Sequence, residues 1–91
     1  MARQLSAHDP STPKADDHDA LARLIDTLFR GRSDVPRLEI VVRAELADLS
    51  PAALDIVNLL PPGAYTRSRL CDQLNSAITA HGWGRTLGTF E

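Results

Sequence analysis

At 91 residues, with 43% hydrophobic but only 4% aromatic side chains, the chain has room for one domain, its core built from Leu, Ile, Val and Ala. The net charge is −2, and one lysine among ten basic residues is not the plain basic footprint of a nucleic-acid binder. One cysteine excludes an internal disulfide, no Cys/His spacing matches a zinc site, and no run approaches the ~20 apolar residues of a membrane span or the apolar core of a signal peptide.

The chain opens on "MARQLSAHDPSTPKADD", with two prolines, few apolar residues and clustered acids, too little to offset the entropy of ordering. Residues 1–16 therefore read as a disordered acidic lead and 17–91 as a single helical domain. A body of ~75 residues supplies only a few kcal/mol of net stability, so a partner or self-association is expected to add to it.

In "DDHDALARLIDTLFRGR", Leu21, Leu24, Ile25, Leu28 and Phe29 form one helical stripe; Asp16, Asp17 and Asp19 suit an N-cap and the helix dipole, and Gly31 a stop. "DVPRLEIVVRAELADLS" is ambiguous. With period two, Leu38, Ile40, Val42, Ala44 and Leu46 line a strand. With period 3.6, Leu38, Val41, Val42, Leu46 and Leu49 make a helical stripe, and the length of the run favours a helix. "SPAALDIVNLLPPG" predicts a third helix: Ser50 as N-cap, Pro51 at N1, Leu54, Val57 and Leu60 facing inward, and Pro61 ending it. A fourth starts at Thr66, buries Leu70, Cys71, Leu74, Ala77 and Ile78, and stops at Gly82.

Several residue groups invite chemistry. "DDHD" (Asp16 to Asp19) has metal-ligand types, but neighbours at a helix start point apart, and capping explains them better. Cys71 and His81 lie ten residues apart on one helix, ~15 Å, too far for a nucleophile and its base; Ser68, Asp72 and His81 fail as a triad for the same reason. The glycines of "GWGRTLG" follow a helix, whereas a phosphate loop precedes one. No catalytic residue, metal or cofactor is therefore expected, and the default reading is a soluble cytoplasmic protein that is not an enzyme.

Two binding readings remain. Nine of the ten basic residues are arginines, which suit protein interfaces as well as phosphates. In the first, separate acidic and basic segments make a docking module for a protein partner, with Arg67, Arg69, Trp83 and Arg85 at the interface. In the second, "YTRSRL" opens a recognition helix, residues 51–60 lead it and the tail is a wing, so Arg67, Ser68, Arg69 and Arg85 contact DNA. The fold expected is an all-α compact bundle of four main helices with a C-terminal tail packed back on it; the alternative is an α+β winged helix-turn-helix. A helix over 37–46 favours the first and a strand the second. Trp83 is expected to fold over the core as a lid, joined by Leu87 and Phe90, leaving its rim and Arg85 exposed.

The segments "ALARLIDTLF", "PRLEIVVRAELADL" and "LNSAITAHGWGRTL", across roughly 19–49 and 70–87, resemble the effector-associated domains of bacterial conflict systems, small helical modules similar to the death fold. The connection "NLLPPGAYTRSR" is longer than in that pattern, and Gly84 with Gly88 weaken a final helix. The resemblance implies non-catalytic docking, of like domain on like domain, that brings an effector or sensor to its partner. It carries no catalytic or interface residues over to this chain.

Overall fold

The computed structural model describes residues 12–91; of the lead expected to be disordered over residues 1–16, residues 1–11 lie outside the described residues. The stripe on the first helix, α1 (Asp17–Leu28), closes against the rest of the chain: Leu21, Leu24, Ile25 and Leu28 are buried, and Phe29 is half-buried beyond them. Each such side chain removed from water is worth about 1.5–3 kcal/mol before ordering entropy is subtracted. After a turn at Gly31 come β1 (Val35–Pro36), α2 (Arg37–Leu46), α3 (Pro51–Asn58), β2 (Ala64–Tyr65), α4 (Arg67–Ala80) and α5 (Gly84–Leu87). The described residues are thus mostly helical, and their one sheet is a two-residue antiparallel pairing, Val35 with Tyr65 and Pro36 with Ala64.

The ambiguous segment is a helix. Pro36, extended at φ −72° and ψ 151°, occupies the N-cap position, and the good helix formers of "RAEL" carry the last turns. Its stripe, however, does not face inward as the spacing predicts. Ile40 and Ala44 are buried, whereas Leu38, Val42 and Leu46 are exposed. The reason lies at the two ends of α2. At its start, Arg37 donates from Nε to the Leu60 carbonyl (2.6 Å) and from Nη2 to the Asn58 carbonyl (2.9 Å), placing a cation on the C-terminal carbonyls of α3. At its end, the short extended link from Ala47 runs directly into the buried Leu49 and Ser50.

Ser50 caps α3 as expected, its hydroxyl accepting from the Ala53 amide at 3.2 Å with Pro51 in the first turn. The same hydroxyl donates to the carboxylate of Asp17, which is fully buried and also accepts from the Ser50 amide (3.0 Å) and the Lys14 amide (2.6 Å). Asp16 occupies the N-cap slot of α1 without a side-chain capping bond; its neighbour Asp17 turns inward instead and serves two helix starts at once. The Lys14 contact also ties the described end of the acidic lead to the domain.

Hydrogen bonds to a charged, buried acceptor are worth about 1.5–3 kcal/mol each, and removal strands the donors. Asp17→Ala is accordingly expected to lower unfolding free energy by about 3 kcal/mol, and Ser50→Ala by less. In a double-mutant cycle followed by urea denaturation the two losses should fall short of additive, because they remove one shared interaction.

Candidate functional site

The C-terminal stretch was the most distinctive part of the sequence, and its geometry is a chain reversal. Beyond Ala80, Gly82 sits at φ 71°, its amide bonding to the Thr79 carbonyl (3.0 Å) and the Trp83 amide to the Ile78 carbonyl (3.0 Å). That pair of bonds is a Schellman closure, and it needs a residue free to adopt positive φ. The four-residue α5 follows, and the tail then returns along α4. Asn75 holds it through both backbone groups of one residue, accepting from the Phe90 amide and donating to the Phe90 carbonyl, each at 2.9 Å.

Leu87 and Phe90 are buried, while Trp83 is only half-buried and tilts against His81 with ring centroids 4.6 Å apart. The lid is therefore made by Leu87 and Phe90, and Trp83 covers the edge of the core. Trp83, expected as the lid, comes immediately after the reversal, before the chain has turned inward, and so reaches only the rim. Phe90 stacks on His18 (4.7 Å, 18°), whose Nδ1–H donates to the Leu87 carbonyl at 2.6 Å. Gly88 is favoured here by φ 71° with ψ −155°, and a Cβ there would stand 3.1 Å from the His18 ring, a tight contact.

The four expected interface residues do not form one surface. Arg67 and Arg69 lie at the start of α4, Trp83 and Arg85 beyond its end, and a 14-residue helix is ~20 Å long. Arg67 is engaged within the domain: Nη2 donates to Asp26 at 2.8 Å and Nε to the Glu91 carbonyl at 3.0 Å, joining α4, α1 and the tail. Arg69 packs over the Tyr65 ring, its guanidinium carbon 5.2 Å from the centroid. Arg85 is exposed.

A different surface stands out on α2. Leu38 (72% exposed), Val42 (44%) and Leu46 (80%) follow one another at i, i+4 and i+8, each offset from the last by about 40° around the axis. Single exposed leucines are ordinary, but three apolar side chains on one helical ridge make a continuous patch. Half-buried Val41 borders it on one side. On the other, Glu39 is hydrogen-bonded by Arg32 and lies 3.9 Å from Arg43. Arg32 draws the Glu39 carboxyl below its ordinary range and is itself raised by the same bond. The sequence held a signal for this ridge: "LEIVVRAEL" is apolar on two sides of the helix, more than one core contact can cover.

Groups with chemical potential are kept apart or enclosed. Cys71 is buried, and desolvation pushes its thiol above the usual range, away from the thiolate that nucleophilic attack needs. His81 bonds back to the Ala77 carbonyl at 2.9 Å, at the far end of α4. Among the described residues no three His, Cys, Asp or Glu side chains form a group that could hold a metal ion, and no helix is long and apolar enough to cross a membrane. Shallow grooves flank α4, among them one against α3 at Leu59 and Leu60 and one beneath Phe90 at Arg67 and Cys71. No protein-family model, curated protein or solved structure matches the chain.

Two measurements check this arrangement. Phe90→Ala should cost about 3 kcal/mol, typical of deleting a buried ring, and Trp83→Ala markedly less, ranked by thermal melts of the two variants. The Cys71 thiol should react with a disulfide reagent at pH 8 at least ~100-fold more slowly in the native protein than in urea.

Proposed function

We propose that this chain is a non-catalytic protein-interaction module: a bundle of four main helices, closed by its tail, that docks a protein partner through a helix surface. The observation that carries this reading is the exposed ridge Leu38, Val42 and Leu46, flanked by Glu39, Arg43 and Glu45. An apolar strip bordered by charge of both signs has the anatomy of a docking site: the strip contributes affinity and the charges select register. The resemblance to effector-associated modules points the same way, toward an adaptor in a bacterial conflict or signalling system working in the cytoplasm.

The DNA-binding alternative is the weaker one. Its leading arginine, Arg67, is occupied by Asp26 and the Glu91 carbonyl, and the stretch assigned to a wing lies clamped along α4 by Asn75. Helical structure over residues 37–46 also favours the bundle over the winged helix.

Anisotropy of a labelled random duplex should show no binding at micromolar protein in low or moderate salt; salt-dependent binding there would reinstate the DNA reading. In parallel, the immobilised protein should retain a protein partner from a bacterial lysate, and Val42→Glu should lose that partner while melting within a few degrees of wild type. Equal retention by both would move the docking surface elsewhere.

A further inference from the structure

Arg67, Cys71 and Asn75 follow one another along one side of α4 at i, i+4 and i+8. The outer two are anchors of the returning tail. Asn75 exchanges two hydrogen bonds with the backbone of Phe90, and the Arg67 Nε donates to the Glu91 carbonyl at 3.0 Å. Cys71 lies between them, 3% exposed, and with Arg67, Ser68 and Asp72 it lines a groove whose other wall is Phe90 and Glu91. The tail therefore passes over the thiol, pinned on either side of it. The residue that leads into this stretch is held differently: Leu87 is fully buried and its carbonyl accepts from His18. Between the two stands Gly88, at φ 71° and ψ −155°, a conformation that essentially only glycine adopts.

We infer that residues 88–91 form a latch that pivots at Gly88 and opens while the helices stay folded, gating the groove over Cys71. The balance of forces in the latch favours this. One buried ring, Phe90, and three hydrogen bonds, one of them from the exposed Arg67, hold the segment in place. Those gains are nearly cancelled by the backbone and side-chain entropy lost in ordering it. The helices are fastened to one another by other means: α1 to α3 through Asp17 and Ser50, α2 to α3 through Arg37, and Val35 to Tyr65 in the sheet. Opening is thus a local event that lies well below global unfolding in free energy. It removes the wall formed by Phe90 and Glu91, so the thiol meets solvent with the domain intact. It also relieves part of the desolvation that holds the thiol above its usual range, with Arg67 nearby to favour the thiolate. The latch therefore sets both access to Cys71 and its reactivity, whereas a thiol buried by the core alone would change in neither until the whole domain unfolded. The gate is separate from the α2 ridge and needs no partner there.

Labelling of Cys71, the single cysteine of the chain, by an aromatic disulfide reagent reads the open population when the rate is proportional to reagent concentration. Below the unfolding transition the rate should vary little with urea, because the latch exposes little surface on opening. Asn75→Ala removes two anchoring bonds and Gly88→Ala strains the closed backbone, and neither residue lines the groove. Each should speed labelling about tenfold. Ile56→Val, buried in α3 apart from the latch, should lower the global folding equilibrium several-fold and leave labelling unchanged. The gate is overturned if labelling rises with urea as steeply as unfolding does and increases in proportion in Ile56→Val, since the thiol would then be reached only through global unfolding. It is overturned equally if labelling is insensitive to urea yet unchanged in Asn75→Ala and Gly88→Ala, because the reagent would then enter past a closed latch.

Discussion

The carboxylate of Asp17 is the point on which the arrangement of helices depends. It is fully buried, and a buried carboxylate is tolerable only where its oxygens are supplied with donors. Here they come from Lys14, from the Ser50 amide and from the Ser50 hydroxyl. Ser50 is at once the cap of α3, so the start of α1 and the start of α3 are joined through a single side chain. The link from α2 must enter this cluster. With Arg37 fastening the other end of α2 to the carbonyls closing α3, the roll of α2 about its own axis is set at both ends. That roll turns Ile40 and Ala44 inward and leaves Leu38, Val42 and Leu46 in solvent.

His18, next in the chain, ties the opposite side of α1 to the tail through the Leu87 carbonyl and the Phe90 ring. Two consecutive residues thus fix the first helix to the third and to the C-terminal closure. A domain of this size with few rings has little apolar surface to spare, and directional contacts of this kind select one packing among the several that a Leu-, Ile- and Ala-rich core would accept. Arg67 performs the same service at the start of α4, drawing Asp26 and the last residue together. Its charge is therefore part of the architecture, although its helix-start position suggested recognition.

The adaptor reading follows from what these constraints leave unused. A core that is fully served by one face of α2 exposes a second apolar face of the same helix, bordered by Glu39 and Arg43. The surface is small and carries charge of both signs, which suits reversible association in which encounter geometry and local concentration matter more than intrinsic affinity.

Local chemistry was legible in the residues themselves. Ser50 and Thr66 as caps, Pro51 in a first turn, and Gly82 as a reversal follow from single-residue properties, and the stripe of α1 from spacing alone. The sequence by itself therefore determined that the chain is built of helices and where most of them begin and end. What only the tertiary structure decided is orientation. In α2, apolar residues occupy two sides, and no period identifies the inner one; the tethers at Arg37 and Ser50 do. In the tail, burial of Phe90 over Trp83 depends on where the returning chain meets Asn75 and His18, contacts 15 and 72 residues distant along the chain. Spacing reports which side chains share a face, whereas the choice between faces is made by long-range hydrogen bonds that spacing does not encode.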